Sequence, residues 1–368
     1  MPEASCESID QFPAFLERLP PGLDIEALAH ETKAFQRARG VRSGTDLLRL
    51  SVAWACSGYS LQCVAAWAAE RGIAKLTDEA LIQRLHNAGG LLEALTNRLL
   101  RRPEPLPSWH GRVFRIADSS GLSEPASKGT DWRLHAVYDL GLGGFTHLEI
   151  TDSHGAEALD RGVTVAGEVR AGDRGFATAQ GWQGFLQAQP AEADFIVRMR
   201  WNTVRLVDQA GDRFDIIAWL QTRPAERENH EITVSAQSGK HQEPIEIRLI
   251  ARRKPLEAIE TARKHLHRQA SRKQTRPDPR SLVAAEYLVL ATSLSADEFA
   301  ASEVLAAYRL RWQIELAFKR LKSLMKISEL RTRTPDGTRC WLYAHLIVAL
   351  LCDDLSQDVL ESFPSGAF

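Results

Sequence analysis

Four side chains in the last third of the sequence have types and spacing that suit phosphate chemistry. Tyr308, Arg311, Glu315 and Lys322 lie in AAYRLRWQIELAFKRLKSLMK, residues 306–326, which contains no Pro or Gly. Such a segment reads as one long helix. At 3.6 residues per turn all four fall in one arc of about 60°. Leu310, Ile314, Ala317, Phe318, Leu321, Leu324 and Met325 fill the neighbouring arc, so the helix can pack on a core. One edge then carries a carboxylate flanked by two cations and a phenol. This suits a carboxylate that meets a metal beside phosphates held by Arg and Lys. On geometry alone, a salt-bridged solvent face is an equal reading.

Two upstream aspartates end strand-like segments. In VFRIAD, Phe114, Ile116 and Asp118 share one strand face by period two; in EVRAGD, Val169, Ala171 and Asp173 do the same. Taken singly, an Asp at a strand end reads as a turn-former.

The run Tyr308-x2-Arg311-x3-Glu315-x6-Lys322 resembles, without a gap, the Y-R-E-K signature of DDE transposases encoded by bacterial insertion sequences. Asp118, followed by Ser119 and Ser120, is similar to the first Asp of that family, and Asp173 in GDRGFA to the second. DWRLHAVYDL and THLEITDSHGAE between them resemble the family's next strands, and the resemblance covers roughly residues 45–350. It implies an α/β ribonuclease-H-like core in which Asp118, Asp173 and Glu315 are catalytic and hold metal. Tyr308, Arg311 and Lys322 would position phosphates. With oxygen ligands and a phosphodiester substrate, the implied cofactor is a pair of Mg²⁺ ions, for which Mn²⁺ can substitute. The implied partner is double-stranded DNA, as terminal inverted repeats and as target, bound by a dimer. The implied reaction is cleavage followed by joining of the freed 3′-hydroxyl. A catalytically idle DNA-binding relic or inhibitor, and a purely hydrolytic nuclease, remain as rivals.

The resemblance also implies a β-rich insertion between Asp173 and Glu315, which in hairpin-forming relatives supplies an aromatic that stacks on an extruded base. Tyr287 is the preferred candidate and Trp201 the second, although a core role for each is about twice as frequent. His135, His154 and Glu157 lie near the active-site strands but match no metal spacing, and read as structural or as supports behind the site residues.

These residues need elements to position them. Residues 1–105 read as a helical DNA-binding domain, with Ser60 and Thr77 as N-caps of helices near 61–71 and 78–88. That pair, joined through Gly72, suits either a helix-turn-helix displaying Arg84, His86 and Asn87 or a plain helical bundle. Pro103, Pro105 and Pro107 mark a boundary. Residues 106–200 read as the first part of the core. Its expected strands are Arg112–Asp118, Trp132–Asp139, Phe145–Thr151, one ending at Asp173, and Asp194–Arg200, with helices near 155–162 and 177–188. Residues 201–292 form the insertion, with strands at Thr203–Val207, Phe214–Ala218, Glu231–Ser235, Ile245–Ile250 and Glu286–Ala291 and a basic helix near 254–274. Residues 293–368 complete the core with helices.

Lys plus Arg total 46 and Asp plus Glu 47, so net charge names no partner, but residues 248–280 carry eleven bases against three acids. Arg263, Lys264 and Arg268 are expected there to contact DNA phosphates. Residues 1–31, with seven acids and one base, disfavour DNA contact. Five cysteines form no C-x-x-C pair, and the longest apolar run, Cys340 to Cys352, is too short for a bilayer. With no signal-like start, the expected location is the cytoplasm, on the nucleoid.

Overall fold

The computed structural model describes residues 12–100, 105–188, 192–224, 228–239, 243–325 and 330–361. The strands are β1 (Val113–Leu122), β2 (Trp132–Asp139), β3 (Gly144–Asp152), β4 (Glu168–Gly172), β5 (Asp194–Arg198), β6 (Arg205–Val207), β7 (Asn229–Gln237), β8 (Ile245–Arg253) and β9 (Tyr287–Thr292). They build one sheet in the order β3-β2-β1-β4-β5-β9-β8-β7-β6. β1, β2 and β3 form an antiparallel meander, and β4 and β5 run parallel to β1. This is the mixed ribonuclease-H-like sheet expected from the sequence. β9 pairs antiparallel with β5 on one side and β8 on the other, so the strands of residues 201–292 continue the core sheet.

The helices are α1 (Phe12–Glu17), α2 (Ile25–Glu31), α3 (Gly44–Cys56), α4 (Leu61–Glu70), α5 (Asp78–Leu99), α6 (Ala179–Gln187), α7 (Ile216–Gln221), α8 (Leu256–Arg272), α9 (Pro279–Ala284), α10 (Ala301–Arg309), α11 (Trp312–Met325) and α12 (Pro335–Glu361). Alternation along the strands separates two cores. Phe114, Ile116, Leu134, Val169, Ala171, Ile196 and Ile250 face the N-terminal helices and α10–α12. Ala117, Val137, Phe195, Val197, Leu249 and Ala251 face α6 and α7, where Trp182 and Phe185 are fully buried. Among the described residues no helix is long and apolar enough to cross a membrane.

Several elements differ from the sequence reading. Ser60 and Thr77 do cap α4 and α5, accepting from Cys63 and Ala80 N–H at 3.2 Å. However, α5 continues to Leu99, because Leu81, Leu85, Leu91, Leu92 and Leu95 form an unbroken buried stripe. It lies against α12, where Arg339 pairs with Glu93 at 2.5 Å and His86 meets Thr334 at 3.1 Å. Arg84 donates to the Arg39 carbonyl at 2.7 Å. The arrangement is that of the bundle. Residues 155–162 form turns rather than a helix, since the carbonyls of Leu159 and Arg161 are taken by the Arg170 guanidinium at 2.8 Å. The expected strand at Phe214–Ala218 is instead the start of α7, because Asp215 caps it by accepting from the N–H groups of Ile217 and Ala218.

Beneath the sheet, Arg115 pairs with Asp139 at 2.9 Å and with Glu168 at 3.1 Å, and Glu168 accepts from Arg170 at 2.5 Å. These four buried charges tie β1, β2 and β4 together and sum to zero.

Candidate active site

The parallel pairing of β1 with β4 ends at Ala117 opposite Gly172. Asp118 and Asp173 are the next residue on each strand, side by side, on the face that carries Ile116 and Ala171. β1 itself runs on to Leu122 against β2, so Asp118 ends the ladder on the β4 side only, not the whole strand as the sequence suggested. Its Oδ1 accepts from the Ser119 N–H at 2.8 Å.

The single helix expected over 306–326 is two. α10 stops at Arg309 and α11 starts at Trp312; between them Leu310 and Arg311 N–H donate to Ala307 and Tyr308 carbonyls three residues back. No Pro or Gly announces this tightening, which is why the sequence does not reveal it. The break keeps Tyr308, Arg311 and Glu315 together. Arg311 Nη1 lies 3.8 Å from Asp118 Oδ2, and its Nη2 donates to Glu315 Oε1 at 2.7 Å. The guanidinium carbon is 6.0 Å from the Tyr308 ring centroid. Lys322 is exposed farther along α11.

The electrostatics follow from this packing. Burial pushes the Asp118 carboxyl up to about 6; Asp173 and Glu157 add repulsion, while the Ser119 N–H and Arg311 oppose it. Burial and the charge of Asp173 raise the Tyr308 phenol to about 12. Burial works against the charge on Arg311, yet Tyr308, Glu315 and Asp173 hold its pKa above the ordinary value.

Asp173 Oδ1 and the Tyr308 hydroxyl are buried without a hydrogen-bond partner. An orphaned carboxylate oxygen in an all-oxygen donor set fits a hard divalent cation. Glu315 is drawn to Arg311 and is 57% exposed, and among the described residues no three Asp, Glu, His or Cys side chains are gathered closely enough to hold an ion as they stand.

Glu157, set aside in the sequence reading, stands at the site. It accepts from the Ser119 hydroxyl and pairs with Arg133 at 3.1 Å. His135 lies opposite Ser119, is held neutral by burial with a pKa of about 4, and meets Thr151 at 2.9 Å. His154 is exposed beside Asp152. Sequence reasoning also passed over Arg198, at the end of β5, whose strand pattern offers the only signal.

Tyr287 begins β9 opposite Arg253 and is packed on the second core. Trp201 donates to Ser281 at 3.3 Å and lies under Arg280. Arg263, Lys264 and Arg268 are on α8; Arg263 pairs with Glu286 at 2.6 Å and Lys264 with Glu260 at 3.8 Å.

Residues 109–351 match the family described as Transposase DDE domain. The putative transposase InsL of insertion sequence element IS186A from Escherichia coli K12 is 36% identical over 365 residues, 98% of each chain. The transposase of element IS421 from Escherichia coli is 36% identical over 366 residues, again 98% of each. A transposase of element IS231F from Bacillus thuringiensis subsp. israelensis is 35% identical over 99 residues, 27% of this chain and 19% of its own. With a domain match over residues 109–351 and 36% identity to transposases along 98% of its length, the chain belongs to the DDE transposase family.

Proposed function

We propose that this insertion-sequence transposase cuts DNA at terminal inverted repeats and joins the freed 3′-hydroxyl to target DNA, with Asp118, Asp173 and Glu315 as its metal-holding carboxylates. The observation that carries the reading is Arg311. Its guanidinium lies between Asp118 and Glu315, and Asp173 directly follows the last paired residue of the strand next to β1, which supports a reading in which the three carboxylates share a metal site.

The family implies dependence on a divalent metal. We assign Mg²⁺, as two ions, with Mn²⁺ as substitute; when bound, the pair activates the attacking oxygen and stabilises the departing one. Around it the chain's own groups bind and orient. The Tyr308 hydroxyl, beside the Arg311 guanidinium, donates to a phosphate oxygen, and Arg311 and Lys322 supply positive charge beside the cut. Arg263, Lys264 and Arg268 on α8 contact backbone phosphates, the N-terminal helices hold the element end, and Tyr287 is the base-stacking candidate. The working form on nucleoid DNA in the cytoplasm is a dimer.

Replacing Glu315 by Gln tests the core of this. The amide keeps the volume and loses the charge, so nicking and strand joining of end-bearing DNA in Mg²⁺ should disappear. End binding should stay within about twofold, since contacts to the phosphate backbone dominate affinity. Wild-type nicking by the variant would remove Glu315 from the site. Cleavage without any joined product in the wild-type chain would leave a hydrolytic nuclease.

A further inference from the structure

The basic stretch 248–280 divides once it is folded. Arg248 is buried, paired with Glu231, and donates to the Phe299 carbonyl at 2.7 Å. Arg252 pairs with Glu228, Arg253 and Arg263 share Glu286, Lys264 meets Glu260 and Arg280 meets Asp215. Lys254 differs. Its Nζ donates to the Ala285 carbonyl at 2.7 Å, and among the described residues no carboxylate lies at ion-pair distance from it.

Its place in the sheet is informative. β1, β4 and β5 are parallel, and β9 lies antiparallel between β5 and β8, so β8 points the same way as β5. Asp118, Asp173, Arg198 and Lys254 therefore come at one end of the sheet. They also share a face. Ile116, Ala171, Ile196 and Ile250, each an even number of residues earlier, lie in the core under α10–α12, and Leu249 and Ala251 lie in the opposite one. The Lys254 N–H donates to the Glu286 carbonyl at 2.8 Å, which carries the ladder and its alternation to that residue.

Arg174 follows Asp173 directly and is exposed, 3.9 Å from the Asp173 carboxylate. Burial lowers Lys254 to about 8, and repulsion by Arg198 and Arg174 adds to it; burial and Arg174 likewise lower Arg198. Arg174 and Arg198 have the Asp173 carboxylate beside them, whereas half-buried Lys254 has only a carbonyl, so an anion reaching it would offset its charge. The substrate of the adjacent carboxylates is a polyanion.

We propose that Arg174, Arg198 and Lys254 form a binding site for a backbone phosphate of the DNA strand that crosses the carboxylate site. The site rests on the transposase reading above and places the innermost phosphate contact of the basic stretch at Lys254 rather than on the exposed turns of α8. Such a contact positions the strand without reading its sequence.

Binding of a fluorescently labelled, random-sequence short duplex in EDTA tests it without any cleavage. Lys254→Met should weaken binding and flatten the plot of log affinity against log salt by about one unit, Arg198→Met should do the same, and Lys254→Arg should keep the wild-type slope. A Lys254→Met chain with the wild-type slope overturns the proposal. A second measurement needs no variant: at pH 8 the Lys254 amine should be acylated in the free chain and protected by the duplex, as read by mass spectrometry. Equal labelling with and without duplex overturns it as well. Both readings are independent of Glu315, so a Glu315→Gln chain that still nicks DNA would sink the catalytic assignment and leave this result to be judged by itself.

Discussion

Gly175 has no side chain, and the Glu157 carboxylate fills the space where one would stand; a Cβ built there overlaps Glu157. Glu157 in turn accepts from Ser119, the neighbour of Asp118, and pairs with Arg133. The missing methyl group thus lets the turn after Asp173 close on the strand that carries Asp118. Gly175→Ala should push Glu157 off Ser119 and shift Asp118. Misplacement of reacting groups by an ångström costs about a hundredfold in rate. Because the overlapping atoms end a flexible side chain that can swing aside, nicking assays should show a measurable loss smaller than that, with a melting temperature close to wild type because Gly175 is exposed. Full activity would make Glu157 a bystander. At this scale Asp118, Asp173 and Glu315 are legible in the sequence because their types and intervals are distinctive. Arg198 does not stand out in this way, since its place beside Asp173 depends on long-range pairing of strands that no local pattern specifies.

Among elements, β4 illustrates how the catalytic strands are held. All five of its residues are buried, yet Glu168 and Arg170 are charged, and they join Arg115 and Asp139 from the neighbouring strands. Removing one member leaves an unpaired buried charge, which typically costs about 3–5 kcal/mol. Glu168→Ala should therefore lower the unfolding free energy by that amount, read from a lower urea midpoint at unchanged slope, without touching the face of the sheet that carries Asp118. A loss under about 1 kcal/mol would mean that water replaces the lost carboxylate. Strands were largely legible: Trp132–Asp139 appears with its expected ends, and period two put both aspartates on the correct face. The misreadings share a cause. At 155–162 and at 214–218, side chains of Arg170 and Asp215 satisfy backbone groups and decide the local structure, overriding propensity.

For the whole molecule, net charge is −1, so attraction to DNA has to be local. Exposed ion pairs such as Arg263 with Glu286 and Lys264 with Glu260 are weak and exchange readily for phosphate. Replacing Arg263, Lys264 and Arg268 by Ala together should weaken end-bearing and random duplexes alike and reduce the salt slope by about one to three units. An unchanged slope, or a loss confined to end DNA, would take α8 out of the phosphate footprint. The continuity of the sheet through β9 has a mechanical consequence. Because β9 is bonded along both edges, a load applied at α8 reaches the carboxylates through a stiff plank of ladder bonds and not through a swivel. Nor can residues 201–286 be lifted out as a cassette: excision would strip β9 of its β8 partner and leave a raw strand edge, open to pairing with another chain.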